Sequence, residues 1–86
     1  METDDQLIRL LEAVRDGEFS DQPTDNETLA SALHLSLVSV ASYLQEAKAR
    51  SLVSGTRAAR QPGPWYTDLV LSEQGQHYLA LHESGI

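Results

Sequence analysis

The chain has 86 residues, of which 41% are hydrophobic, no cysteine and a formal net charge of −7. This length predicts one small domain over residues 1–86. The absence of cysteine excludes disulfides and thiolate metal sites and fits a reducing compartment. No apolar run approaches the roughly 20 residues that span a bilayer, and the acidic start METDDQ lacks the basic and apolar regions of a signal peptide. We therefore expect a cytoplasmic protein that does not enter a membrane.

Charge is distributed unevenly along the sequence. Residues 1–28 contain nine acidic and two basic residues, a balance of −7, whereas the four basic and four acidic residues of 29–86 cancel. Within 29–66 the balance is +3, from Lys48, Arg50, Arg57 and Arg60 against Glu46. The overall acidity argues against strong non-specific binding to nucleic acid, but the local balance leaves a nucleic-acid interface open.

The first predicted element is an amphipathic helix. Thr3 and Gln6 have the spacing of a capping box at its start. Gly17 is a natural stop for the helix, and Phe19 is predicted to anchor the following loop in the core. The apolar residues of this helix recur at i, i+3, i+4 and i+7, the spacing expected of one buried helix face: Leu7, Leu10, Leu11 and Val14.

Two more helices, joined by a tight turn, are predicted next. A second capping box, Thr24 to Glu27, starts the second helix, with Leu29, Ala30 and Leu33 on its apolar face. Ser36 is the expected N-cap of the third helix, predicted from Ser36 to Ser51. Its buried face is predicted to comprise Leu37, Val40, Leu44, Ala47 and Ser51, and its opposite face Val38, Ser39, Ser42, Gln45, Glu46 and Ala49.

A β-hairpin and a last helix complete the predicted order. Leu52 and Val53 begin a strand that Ser54-Gly55 weakens or bends, and Arg60 to Pro64 form the loop because Pro and Gly cannot sustain a paired strand. Ser72 caps a helix from about Glu73 to His82, with Tyr78 and either Leu79 or Leu81 packed inward. The return strand runs from Trp65 to Leu71, and its side chains alternate between two faces. One face is predicted to carry Trp65, Thr67, Leu69 and Leu71, and the other Tyr66, Asp68 and Val70.

The run LASALHLSLVSVASYLQEAKARSLV, residues 29–53, resembles the winged helix-turn-helix pattern of bacterial MarR-type regulators. Leu29-Ala30, Leu35-Ser36 and Leu52-Val53 occupy the positions of its Leu-Ala, Leu-Ser and Leu-Val pairs. The later LSEQG, residues 71–75, resembles the family's Leu-Thr-x-x-Gly. Ser51 stands in place of the usual Gly before the wing, and Ala47 in place of a large apolar residue. The resemblance implies a mainly α, α+β fold: a three-helix bundle, a two-stranded β-hairpin wing and a C-terminal helix.

The resemblance also implies a DNA-binding transcriptional regulator. The recognition helix, Ser36 to Ser51, would enter the major groove of double-stranded DNA, and the Arg57/Arg60 wing would reach phosphates or the minor groove. The residues predicted to contact DNA are Val38, Ser39, Ser42, Tyr43, Gln45, Lys48, Arg57 and Arg60.

A second interpretation uses the same fold for protein–protein interaction or self-association, with little or no DNA binding. The outer face of the recognition helix offers few basic groups, and Glu46 on that face repels phosphate. Tyr43 beside Val38 suits a protein surface equally well. MarR-type regulators dimerise through helices at both termini, so a homodimer is one form of this interpretation.

The sequence contains no pattern typical of catalysis. His77 and His82 are five residues apart, a spacing that does not place both side chains on one helix face, and His34 stands alone. Glycine-rich phosphate loops and the Gly-x-Ser-x-Gly pattern are absent from the sequence. We therefore predict no enzymatic activity, no metal site and no cofactor.

Overall fold

The computed structural model describes the backbone of residues 2–18 and 23–84 and the side chains of residues 5–18 and 23–81. Within them the protein is mainly helical, with one antiparallel hairpin, and the elements follow the predicted order. Phe19, the predicted core anchor, lies outside the described residues. None of the described helices is both long and apolar enough to cross a membrane. The elements are α1 (Glu2–Gly17), α2 (Asn26–Leu33), α3 (Leu37–Ala49), β1 (Val53–Ala58), β2 (Trp65–Leu71) and α4 (Glu73–Ser84).

The core forms around the apolar face of α1, as the spacing predicts. All four of its predicted residues are fully buried and belong to one core cluster with side chains from every other element. Each such side chain contributes roughly 1.5–3 kcal/mol through removal of its apolar surface from water. The core residues of the other elements are Leu29, Val40, Leu44, Ala47, Leu52, Val53, Tyr66, Leu69, Leu71 and Leu79.

The helix caps agree with the sequence at α3 and differ by one residue at α2. Ser36 caps α3, since its Oγ accepts the backbone N–H of Ser39 at 3.1 Å. The N-cap of α2 is Asp25, whose carboxylate accepts from the N–H and hydroxyl of Thr28 at 2.8 and 2.9 Å. The prediction of Thr24 as the cap was wrong, because Thr24 is buried and its carbonyl accepts the Leu69 N–H at 3.0 Å. At α1, the predicted cap Thr3 lies inside the helix.

Helix α3 ends two residues before the predicted end at Ser51. Arg50 is its C-cap, and Ser51 is exposed with a φ of 61°, so the placement of Ser51 on the buried face was wrong. This left-handed turn lets the Leu52 N–H donate to the Ala47 carbonyl at 2.8 Å before the chain enters β1. A residue with a Cβ is strained in this conformation, by about 1–2 kcal/mol.

Ser51→Gly is therefore expected to raise the free energy of unfolding by about 1 kcal/mol, because glycine removes the Cβ strain at positive φ. Ser54→Gly is the matched control: Ser54 is an exposed residue of β1 without positive φ, where glycine weakens the strand. Urea denaturation of both variants measures the difference. A loss of stability in Ser51→Gly equal to that in Ser54→Gly would contradict this account of the turn.

The hairpin contains a bulge where the sequence predicted a bend. Ser54 pairs with Val70 and Thr56 with Thr67, so β2 has two residues opposite the single Gly55. Asp68, the first of the two, has a φ of 54°. A Cβ on Gly55 would lie 2.9 Å from Leu69 Cδ2 and 3.0 Å from the Thr67 carbonyl oxygen. A side chain at this position would crowd the opposite strand, which favours glycine at the bulge.

The bulge shifts the alternation of side chains along β2. Tyr66 joins Leu69 and Leu71 in the main core, whereas Trp65 was predicted to share their face. The prediction was wrong because one inserted residue exchanges the two faces on its far side. Asp68 and Val70, predicted to share the face opposite Leu69 and Leu71, are both exposed.

Helix α4 begins at the predicted cap and extends beyond the predicted end. Ser72 Oγ accepts the Gly75 N–H at 2.9 Å and donates to the Ser51 carbonyl, which ties the start of α4 to the turn before β1. The helix continues to Ser84, two residues past His82. Of the two alternatives for inward packing, Leu79 is buried and Leu81 is 60% exposed.

Candidate nucleic-acid interface

One face of α3 is open to solvent along the length of the helix, which is about 20 Å for its 13 residues. Val38 is 67% exposed, and the residues that follow it on this face at helical spacing are also exposed: Ser42, Gln45, Lys48 and Ala49. Of the residues predicted to contact DNA, the structure thus brings together Val38, Ser42, Gln45 and Lys48 on one open surface.

Ser39 and Tyr43, also predicted to contact DNA, are more covered than these four residues. Ser39 is half-buried, and its Oγ accepts from the Ser36 hydroxyl at 3.0 Å at the start of the helix. Tyr43 is also half-buried and packs against the hydrophobic core. Both lie beside the open face of α3, where cap formation and core packing restrict their side chains.

Tyr66 brings together basic groups from α3 and from the hairpin. Lys48 Nζ and Arg57 Cζ each lie 5.9 Å from the centre of the Tyr66 ring. Arg57 faces Tyr66 directly across the hairpin, so the strand register places its side chain beside the ring. Cation–π attraction of this kind is worth about 0.5–1 kcal/mol at exposed sites. Tyr66 thereby holds two cations at the junction of α3 and the hairpin.

Trp65 plays the corresponding role for Arg60. The Cζ of Arg60 lies 4.1 Å from the centre of the Trp65 ring, and Trp65 itself is fully buried. Arg60 is exposed on this fixed support at the tip of the hairpin. Trp65 and Tyr66 point to opposite faces of β2, but Arg57 and Arg60 both line a groove at the hairpin tip. We refer to Lys48, Arg57 and Arg60 together as the basic patch.

The basic patch has no acidic partner among the residues whose side chains the structure describes. Arg50, in contrast, forms an ion pair with Glu46 at 2.8 Å, one helical turn earlier on α3. The sequence suggested that Glu46 would repel phosphate from the α3 face. Because Arg50 offsets the charge of Glu46, the repulsion of phosphate is weakened. The ion pair itself is exposed and adds at most about 1 kcal/mol of stability.

Asn26 fixes the start of β2 beside the hairpin loop, a role that the sequence did not predict. Its side chain is fully buried, its Nδ2 donates to the Pro64 carbonyl at 3.0 Å, and its Oδ1 accepts the Tyr66 N–H at 2.9 Å. No sequence signal marked this role, because Asn26 stands in a polar run typical of helix starts; only its burial shows that the amide needs hydrogen-bond partners. The sequence placed Asn26 within a capping box instead.

A groove of ≈ 450 Å³ lies between the end of α3 and α4. Its lining mixes apolar side chains such as Leu52 and Leu81 with Arg50, Glu73 and His77. Within the part of the chain that the structure describes, no cluster of three or more His, Asp or Glu residues is arranged to hold a metal ion.

Comparisons with known proteins do not assign the chain to a family. No family model matches it, and neither a curated protein nor a solved structure gives a match. The likeness to MarR-type regulators therefore rests on the sequence pairs at residues 29–53 and 71–75, and any function must be argued from the geometry of the α3 face and the basic patch.

Proposed function

We propose that the protein is a cytoplasmic winged helix-turn-helix protein that binds double-stranded DNA and acts in transcriptional control. In this proposal α2 and α3 form the helix-turn-helix, α3 enters the major groove, and the β1–β2 hairpin is the wing. The observation that carries it is the basic patch: three cations from α3 and the hairpin, supported by two aromatic rings, with no acidic partner among the described side chains.

The geometry of the basic patch suits contact with phosphates. An arginine that already rests on a ring loses less conformational freedom on binding than a free one, and its planar fork donates two hydrogen bonds to a phosphate. Lys48 extends the patch to the C-terminal end of α3. Phosphate contacts at both the helix and the hairpin would fix the orientation of α3 on the duplex.

The exposed face of α3 supplies the base contacts in this proposal. Gln45 can pair with adenine, Ser42 can donate to or accept from base edges, and Val38 can contact the methyl group of thymine. These groups offer few strong, bidentate contacts. We therefore expect modest sequence discrimination, with most of the affinity supplied by the basic patch and dependent on salt.

The salt dependence of binding to duplex DNA tests the proposal. Arg57→Ala and Arg60→Ala are each expected to weaken binding and to reduce the slope of log K against log salt by about 0.9 for each phosphate that the variant no longer neutralises. The double variant should show both reductions together. Fluorescence anisotropy with a labelled duplex, repeated over a series of salt concentrations, gives the affinities and the slopes.

Arg9→Ala is the matched control, because Arg9 is an exposed arginine on α1 and its removal changes the net charge by the same amount. It should leave the salt slope unchanged. An equal reduction in Arg9→Ala would show that only net charge matters, and a wild-type protein that binds no duplex at low salt would eliminate the DNA proposal.

Exposure of Val38 favours a second candidate function, protein–protein interaction or self-association, including a homodimer. Val38 is 67% exposed on an outer face whose neighbours Ser42 and Ala49 carry no charge. Such a face is easily desolvated against another protein. A domain of this size also gains stability from a partner that covers its surface.

Val38→Asp is expected to leave the fold intact and to abolish association, because an unpaired carboxylate in an interface costs several kcal/mol. Val70→Asp, an exposed valine on β2, is the control and should not alter association. Sedimentation at high protein concentration measures both. A strictly monomeric wild type that nevertheless binds duplex DNA would eliminate self-association.

A further inference from the structure

The side chain of Asn26 takes the place of a neighbouring strand along β2. The Pro64 carbonyl and the Tyr66 N–H, which it binds, flank Trp65 and lie on the same edge of the strand. The amide satisfies both groups at once, with distances of 3.0 and 2.9 Å, from a fully buried position.

The same edge of β2 is covered further along by the chain that precedes Asn26. The Leu69 N–H donates to the Thr24 carbonyl, and the Leu71 N–H donates to Glu18 Oε2, each at 3.0 Å. The edge opposite β1 is therefore occupied at Tyr66, Leu69 and Leu71. Of these contacts, the one from Asn26 lies nearest the hairpin tip. Asn26 is also the residue at which a helix begins.

This position connects Asn26 to both parts of the proposed DNA interface. Asn26 is the first residue of α2, which a short turn joins to α3. Its bonds hold the backbone on either side of Trp65, whose ring supports Arg60 at 4.1 Å. The amide thus ties the helix pair to the segment that carries Arg60.

We propose that Asn26 is a positioning residue that sets the orientation of the hairpin relative to α2 and α3 and so places Arg60 for contact with a phosphate. The part concerning phosphate contact rests on the proposed function. The part concerning the placement of Arg60 on Trp65 holds for the protein alone. The two parts can therefore be tested separately.

The chemistry requires an amide at this position. Alanine leaves the Pro64 carbonyl and the Tyr66 N–H without their partner. Aspartate retains an acceptor for the Tyr66 N–H but replaces the donor with a carboxylate oxygen that faces the Pro64 carbonyl. Both changes release Pro64, and we expect both to move Trp65 and Arg60 apart.

The first experiment measures the Arg60 side-chain proton shifts by NMR in the absence of DNA. In the wild type the Trp65 ring current should move these shifts upfield, and Asn26→Ala should remove the displacement while the far-ultraviolet circular dichroism stays native. Asp25→Ala, which removes the adjacent N-cap of α2, is the control and should retain it. If Asn26→Ala does not fold, Asn26→Asp provides the same test.

The second experiment is a double-mutant cycle on the Kd for duplex DNA. Arg60→Ala should weaken binding in the wild-type background and change it by less than about twofold in the Asn26→Ala background, the margin within which independent variants add. A purely structural role for Asn26 predicts additive losses instead, which would overturn the positioning role.

The outcomes separate this inference from the proposed function. Absence of DNA binding in the wild type contradicts the proposed function, and the Arg60 shifts still decide the role of Asn26. Upfield Arg60 shifts that persist in the folded Asn26→Ala or Asn26→Asp variant would overturn the inference even if the wild type binds DNA. Loss of these shifts in Asp25→Ala as well would also overturn it, because general loosening of α2 would then explain the effect.

Discussion

Leu44→Ala is expected to lower the free energy of unfolding by about 2–5 kcal/mol, the range for truncation of a buried leucine. Leu44 is fully buried in the middle of α3 and belongs to the core cluster that contains the apolar face of α1. The total stability of a domain is about 5–15 kcal/mol, so in a domain at the low end of that range a loss of about 5 kcal/mol would unfold a large fraction of the molecules.

Ser42→Ala is the control for this prediction, since Ser42 lies on the exposed face of the same helix. It should change the stability by less than about 0.5 kcal/mol. Thermal and urea denaturation of the two variants give the comparison. Equal melting temperatures would mean that α3 does not bury the face described here.

Gly75→Ala is expected to destabilise the protein, although alanine is the better helix former. Gly75 is a buried residue in the first turn of α4. A Cβ at this position would overlap with the carbonyl oxygen of Leu52 and lie 2.9 Å from its carbonyl carbon. The same carbonyl accepts the Ser72 N–H at 3.0 Å, so α4 cannot move away without breaking this bond.

The sign of the effect distinguishes close packing from helix propensity. Propensity alone predicts a gain of about 1 kcal/mol from glycine to alanine, whereas an overlap with backbone atoms predicts a loss of about 1–3 kcal/mol or more. Gln74→Ala, at an exposed position of the same turn, should be nearly neutral. A more stable Gly75→Ala variant in urea denaturation would refute the close approach of α4 to Leu52.

Features that depend on nearby residues could be predicted from the sequence. The spacing of Leu7, Leu10, Leu11 and Val14 identified the buried face of α1, and Ser36 and Ser72 identified the starts of α3 and α4. In each case the interaction joins residues within about two helical turns, or the apolar period itself determines which face is buried.

Features set by interactions between distant parts of the chain could not be predicted. The choice of Asp25 over Thr24 as N-cap depends on the bond between the Thr24 carbonyl and Leu69 in β2. The placement of Tyr66, rather than Trp65, beside Leu69 and Leu71 depends on a bulge opposite Gly55. A sequence pattern shows that a strand bends, but it does not show which strand has the extra residue.

In the candidate site too, features set by nearby residues could be predicted and features set by distant residues could not. The exposed residues of α3 and the two hairpin arginines were identified from the sequence, because exposure follows the helical period and the hairpin loop follows from Pro and Gly. The placement of Arg57 and Arg60 over Tyr66 and Trp65 was not predicted. Nor were the bonds of Asn26 to Pro64 and Tyr66, which lie 38 and 40 residues away in the sequence.

Titration of the isotope-labelled protein with duplex DNA, followed through its backbone amide shifts, tests the central claim most directly. The proposal of DNA binding predicts that shifts change along the exposed face of α3, at Val38, Ser42 and Lys48, and at Arg57 and Arg60 in the hairpin, while Arg9 on α1 stays unchanged. Unchanged spectra at low salt, or changes confined to α1 while the hairpin is unaffected, would contradict it.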